Sequence, residues 1–207
     1  MDLKLSGKSA IITGASRGIG LSIKTALEKE GVICVSLSRA TGYDFTDPDD
    51  VAKATELVDG VDILINNVGG GGTWTKDFDE IICKNYWTMQ ELTNEFIKCN
   101  KKWGRIVTIA SFYGKEKGPN AVFTATKAAQ IAFMKCLGGK FKGTTFNTIC
   151  PGIINTTKSN KDFAKKNKLQ LGQPEDIANM ALFLCSDLAK HINGSCIVID
   201  GGDTHAY

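Results

Sequence analysis

Between residues 13 and 20 the chain reads Thr13-Gly14-Ala15-Ser16-Arg17-Gly18-Ile19-Gly20, with an apolar run before it and a helical pattern after it. Glycine is required where a turn is tight, where backbone must approach a pyrophosphate, and where a helix packs close to a strand. The N-terminus of the following helix offers free N–H groups and the positive end of its dipole to phosphates. A glycine triplet alone could be a simple turn. The strand before and the helix after it make a dinucleotide-binding turn the better reading.

The rest of the chain alternates in the same way. Short apolar runs at 9–13, 32–37, 61–65, 105–109, 145–149 and 196–199 are rich in β-branched residues. They read as strands covered on both faces. Helical patterns lie between them. One ends at Gly31, a C′ glycine. A second carries Val122, Ala125, Ala129, Ala132, Phe133 and Cys136 as its apolar stripe. A third opens at Pro174-Glu175-Asp176. The expected fold is an α/β Rossmann-type doubly wound parallel sheet with helices on both faces and right-handed crossovers. Nothing splits it, so residues 1–207 are expected to form a single domain. One crossover is short. After Leu37 the chain reaches Tyr43-Asp44-Phe45 within a few residues. A crossover to a parallel strand needs a dozen or more, so the strand expected here is a stub or absent.

Composition excludes several classes. Net charge is +3 with both signs interspersed, too weak for a nucleic-acid partner. The basic run at 161–168 reads as a solvated helix face. No run approaches the roughly 18 to 20 apolar residues of a membrane span, and residues 1–8 do not read as a signal peptide. The seven cysteines form no C-x-x-C pair and read as buried small hydrophobes. A reducing, cytoplasmic location follows as an expectation. His191 and His205 lack metal-ligand spacing, so no metal is expected.

Further motifs follow the glycine turn in order: Asn66-Asn67-Val68-Gly69, Asn85, Ser111 closing an apolar run, Thr126-Lys127-Ala128-Ala129, Pro151-Gly152-Ile153-Ile154-Asn155-Thr156, Leu171 to Ala178, and Asp200-Gly201-Gly202. Together with T-G-x-x-x-G-x-G they resemble the short-chain dehydrogenase/reductase family over nearly the whole chain. The resemblance implies an oxidoreductase that moves a hydride between a nicotinamide and a carbonyl/alcohol substrate, a small molecule. It implies catalytic roles for Ser111, Lys127 and Asn85, the last holding a helix and a water in a relay. It also implies cofactor contacts at Gly14, Ser16, Arg17, Gly18, Ile19, Gly20, Asn67, Val68, Gly69, Lys127, Pro151, Gly152, Ile154 and Thr156, the last holding the carboxamide.

The family's general acid is the tyrosine of Y-x-x-x-K, and Phe123 stands four residues before Lys127. Phenylalanine has no proton to give. The segment from Ser111 to Phe123 is also about one residue short for the family, which could aim position 123 away from the site. Proton delivery is left to water or to Tyr113, whose other reading is a loop aromatic lining the cleft. A sensor or scaffold that binds the dinucleotide without turnover is the rival reading, and an isomerase or lyase using bound cofactor is a third. Only fourteen residues separate Thr156 from Leu171, which implies a wide or shallow substrate site. Gly69 to Gly72 and Thr73 lead to Trp74, a substrate platform or a surface plug.

The cofactor is expected to be NADP. An NAD enzyme needs an acid at the end of strand two. That place holds Ser38 and Arg39, with Arg17 in the glycine turn, and two guanidiniums can pair with a 2′-phosphate. Asp44 and Phe45 are expected beside the adenine. The alanines of the helix from about Val122 to Leu137 suggest close helix–helix approach in a homo-oligomer, a dimer or tetramer. The alternative is that they pack on the parent sheet.

Overall fold

Each of the six apolar runs is a strand in the computed structural model, which describes residues 2–70, 78–99, 102–118 and 120–204. The strands are β1 (Ser9–Thr13), β2 (Ile33–Leu37), β3 (Ile63–Asn66), β4 (Gly104–Ile109), β5 (Thr144–Pro151) and β6 (Cys196–Ile199). All pair in parallel, in the order β2-β1-β3-β4-β5-β6. Side chains alternate between the two faces of a strand, and two cores result. Ala10, Ile12, Ile63, Ile65, Val107, Ile109 and Ile149 lie in one, beneath α1 (Gly18–Lys29) and α7 (Pro174–Cys185). Ile11, Leu37, Leu64, Ile106 and Phe146 lie in the other, beneath α2 (Pro48–Glu56), α4 (Thr88–Lys98) and α5 (Ala121–Leu137). Short α3 (Phe78–Ile82) and the exposed α6 (Lys158–Asn167) complete the helices among the described residues.

Local signals set the helix ends. Val32 N–H donates to Leu27 O and Gly31 N–H to Glu28 O, a Schellman closure of α1 at Gly31. The Asn120 carboxamide accepts from the N–H groups of Val122 and Phe123 and caps α5. Pro174 enters α7, where Asp176 accepts from the Gln173 N–H at 2.8 Å.

Two expectations need correction, the covered faces of β2 and the buried face of α5. The strand beyond β2 is absent among the described residues, one of the two outcomes expected there, and the crossover from β2 runs at full length through a 3₁₀ turn (Arg39–Thr41) and α2 to β3. As a result β2 is an edge strand, and it is not covered on both faces. Ile33 is 68% exposed and Val35 47%. The buried face of α5 is also not the apolar stripe. Thr126, Lys127, Gln130 and Met134 are buried, whereas Ala125, Ala132 and Cys136 face outward. The alanines therefore do not all pack on the parent sheet. No described helix is long and apolar enough to cross a membrane.

Candidate active site

The chain leaves β1 to one side for β2 and returns on the other side to β3. Sheets of this kind bind ligands beyond the strand ends at such a reversal. A cleft lies there, lined by the glycine turn after β1, the 3₁₀ turn after β2 and residues 67–69 after β3. It continues past the ends of β4 and β5 to Ser111, Lys127 and Thr156.

The glycine turn is clamped from β3. Asn67 Nδ2 donates to Thr13 O at 2.8 Å and to Gly14 O at 3.1 Å. The Thr13 hydroxyl accepts from the N–H groups of Asn67 and Val68. A Cβ at Gly20 would lie 2.5 Å from Gly14 O, so only glycine lets the helix start this close to the turn. Arg17, at the N-cap of α1, makes no side-chain cap bond, and the first-turn amides of Gly18, Ile19 and Gly20 lack that partner.

At the far end of the cleft, Ser16, Arg17, Ser38 and Arg39 stand beside Asp44, Phe45 and Val68. Arg17 and Arg39 are exposed, and neither is ion-paired among the described residues. The buried Ser38 Oγ has no partner among the described residues. Asp44 Oδ1 accepts from the Thr46 N–H and hydroxyl. Orphaned hydroxyl, uncapped helix start and two free guanidiniums suit a phosphorylated dinucleotide.

At the other end, Lys127 is 3% exposed. Its Nζ donates to Ile109 O and to Gln130 Oε1, each at 3.1 Å. Burial pulls its pKa from 10.5 to about 8, a shift that the nearby Cys150 only partly offsets. Cys150 itself is raised by its hydrogen bond with Cys196, Sγ to Sγ 3.3 Å, and by burial, so a neutral thiol faces the lysine. The Phe123 ring centroid lies 5.6 Å from Lys127 Nζ, and Phe123 lines the cleft. Position 123 is therefore aimed at the site despite the shortened segment.

Ser111 Oγ accepts from the Tyr113 N–H at 3.2 Å, and its own proton has no acceptor among the described residues. Tyr113 lines the cleft and stacks on Phe112 with centroids 4.0 Å apart. Burial raises its phenol pKa, which makes it a weaker acid than an ordinary tyrosine. Pro151, Gly152 and Ile154 line the same wall. Thr156 Oγ1 bonds Ile154 O at 3.5 Å and Asn160 Nδ2 at 3.0 Å.

Asn85 stands apart from the other expected site residues. It is 1% exposed and lines neither part of the cleft. Its carboxamide accepts from Gly70 N–H and donates to Gly70 O and Ile81 O. Its side chain thus braces the loop after β3 through both its oxygen and its nitrogen. Gly71, Gly72, Thr73 and Trp74 lie outside the described residues.

Sequence reading missed Tyr43, Thr46, Glu80 and Lys84 at the nucleotide end and Gln130 beside Lys127. The last was findable, since residues three apart share a helix face.

Residues 38–204 match the family described as Enoyl-(Acyl carrier protein) reductase. The chain is 32% identical over 250 residues to the 3-oxoacyl-(acyl-carrier-protein) reductase FabG of Aquifex aeolicus (strain VF5), across 98% of this chain and 99% of the relative. That span exceeds the 207 residues here, so the relative carries segments this chain lacks. A Burkholderia cenocepacia J2315 short chain dehydrogenase in complex with NADP superposes with a TM-score of 0.83 at 26% identity, covering 96% of this chain and 98% of that one. A candidate NAD(P)-dependent gluconate 5-dehydrogenase from Beutenbergia cavernae, with bound NADP at low occupancy, gives a TM-score of 0.88 at 26% identity and 98% coverage of both chains. The protein belongs to the short-chain dehydrogenase/reductase family, a family of oxidoreductases.

Proposed function

We propose that the protein is an NADP-dependent oxidoreductase acting on a carbonyl/alcohol pair. One observation carries the reading. A single cleft joins two unpaired arginines at one end to a serine proton and a buried lysine at the other. The NADP-bound relatives support the cofactor, and the named reductase suggests 3-oxoacyl thioesters as the first substrates to try.

NADPH supplies the hydride when bound. Arg17 and Arg39 hold its 2′-phosphate, and the amides of Gly18 to Gly20 meet its pyrophosphate. Lys127 holds the nicotinamide ribose through its remaining N–H. Thr156, Pro151, Gly152 and Ile154 seat the carboxamide end. Ser111 donates to the carbonyl oxygen as negative charge develops there. Phe123 leaves the protonation of that oxygen to water or to Tyr113, so turnover is slow. A positioned acid is worth about 10²- to 10⁴-fold.

Fluorescence titration with NADPH and NADH tests the cofactor, and equal or tighter NADH binding overturns it. Cofactor oxidation against a carbonyl panel tests the reaction. Bound NADPH with no oxidation of any substrate would favour the sensor or scaffold reading, which Phe123 supports. The outward Ala125, Ala132 and Cys136 of α5 offer a face for pairing with a second copy. Light scattering that gives only the 22.3 kDa monomer at high concentration would remove that part.

A further inference from the structure

Lys127 is a cation without a carboxylate. No carboxylate pairs with it among the described residues, and the Cys150 thiol beside it is held neutral by burial and its bond to Cys196. The groups packed around it are neutral: the carbonyl of Ile109 at the end of β4, the Phe123 ring one turn back on its own helix and the backbone of Gly69 after β3. The Tyr113 phenol shares the cleft. A charge buried this way needs acceptors, or it gives up its proton.

Gln130 supplies one of them and is itself held from the far side. It is 1% exposed. Its Oε1 accepts from Lys127 Nζ, and its Nε2 donates to the main-chain carbonyl of Asn85. The partners fix which way round the amide sits, because lysine can only donate and a carbonyl can only accept. Asn85 lies in a π-helical turn (Cys83–Trp87). Such a turn opens the helix's carbonyls to side chains, and the Thr88 hydroxyl takes Cys83 O here in the same way. The Asn85 carboxamide grips Gly70, and a Cβ at Gly69 would lie 2.6 Å from Asn85 Oδ1 and 3.1 Å from Lys127 Nζ. Loop, asparagine, glutamine and lysine therefore form one closed set of contacts.

We propose that Gln130 is a positioning residue that aims the Lys127 ammonium into the cleft and stands where a counter-ion would otherwise be. An amide oxygen stabilises the ammonium by its dipole but leaves the site with a full positive charge. A carboxylate in the same place would neutralise it. Ile109 O and Gln130 Oε1 take two of the three N–H groups, so one donor remains for a ribose hydroxyl. A neutral amine would spend both its N–H groups on those acceptors and present a lone pair to the cleft instead. The part Gln130 plays in cofactor binding rests on the oxidoreductase reading. Its hold on Lys127 does not.

The test labels lysine with ¹³C at Cε and titrates the ligand-free protein, with the Lys127 resonance identified by its loss in Lys127→Met. Gln130→Glu should raise the Lys127 midpoint by about one pH unit or more, since an opposite charge within hydrogen-bond reach favours the ammonium. Gln130→Leu should lower it, because burial is then less opposed. Midpoints that agree with the wild type in both variants overturn the proposal. If Gln130→Leu does not fold, the isosteric Gln130→Glu decides alone. NADPH titration of the same proteins separates the two readings. A wild type that never binds NADPH, with lysine midpoints moving as stated, overturns the cofactor reading and leaves Gln130 in place. Normal NADPH binding with unmoved midpoints does the reverse.

Discussion

At the nucleotide end of the cleft, Arg17 and Arg39 are exposed and without an ion pair among the described residues, while at the other end Lys127 is buried and bound by two carbonyls. A solvated guanidinium costs little to keep charged and attracts modestly across a high dielectric. A buried ammonium is expensive to keep charged, and its field is strong for the same reason. The first arrangement suits recognition, where a few contacts select one ligand over another. The second suits chemistry, where one group acts on one atom. The two ends also differ in completeness. The nucleotide end keeps the glycine turn and two exposed arginines, whereas the other end has an aromatic ring where the family has an acid.

Restoring that acid is expected to have the largest effect. Phe123→Tyr should raise kcat about 10²-fold on any carbonyl substrate that turns over, with Lys127 near enough to favour the phenolate. Tyr113→Phe should leave the wild-type rate unchanged. Loss of activity in Tyr113→Phe would instead make Tyr113 the acid. A wild type as fast as ordinary enzymes, and indifferent to both changes, would erase the contrast between the two ends.

A smaller effect is expected at the nucleotide end. Arg39→Ala removes one charge-assisted contact at an exposed site and should weaken NADPH about 10-fold, with NADH affinity unchanged. Equal losses for both cofactors would show that Arg39 serves the fold and not the choice of cofactor.

The cost of burying Lys127 can be read from stability against pH. Its folded pKa of about 8 lies below the usual 10.5, so between those values the unfolded chain binds more protons than the folded one. Its contribution therefore makes the fold more stable as pH rises through that window. Lys127→Met has no such group, so the gap between it and the wild type should shift in the wild type's favour from pH of about 7 to about 10 by up to roughly 3 kcal/mol. Denaturant midpoints at the two pH values measure it, and parallel curves would mean that Lys127 titrates normally.

The smallest effect belongs to the rim. Ile33→Thr on the bare face of β2 should change stability by less than about 0.5 kcal/mol, whereas Ile11→Ala on the covered neighbour β1 should cost about 2 to 5 kcal/mol. Similar losses at both would show that Ile33 is covered in solution.

Much of the fold was legible because its strands are buried on both faces and so carry continuous β-branched runs. The edge position of β2 follows from the lack of room for a strand after Leu37, but the bareness of its face was not legible, since its composition matches that of the inner strands and its exposure depends on what fails to cover it. The Asp47-Pro48 start of α2 was an available signal, with Asp47 accepting from the Asp49 N–H at 2.9 Å, and went unread. The face of α5 was misjudged for a physical reason. Its buried side holds Thr126, Lys127 and Gln130 beside Met134, and of the expected stripe Ala125, Ala132 and Cys136 face outward while Phe133 packs on the core. Gln130 depends on a carbonyl from another helix, which no local pattern can reveal. The bracing contacts of Asn85 depend on the path of the Gly69–Gly70 backbone, which the sequence does not show.

That no described strand lies beyond β2 also has a consequence for motion. Omitting a further strand saves little chain entropy, since doubling a loop costs only about 0.6 kcal/mol. It leaves β2 paired on one side only, to β1, and without the apolar cover its neighbours have. Local opening takes the least-anchored elements first, and here that element leads directly into Ser38 and Arg39. A ligand gripped by those residues would stitch the rim to the glycine turn, so amide hydrogen exchange along β2 should slow in proportion to occupancy. The edge of the sheet would then act as a gauge of how full the cleft is.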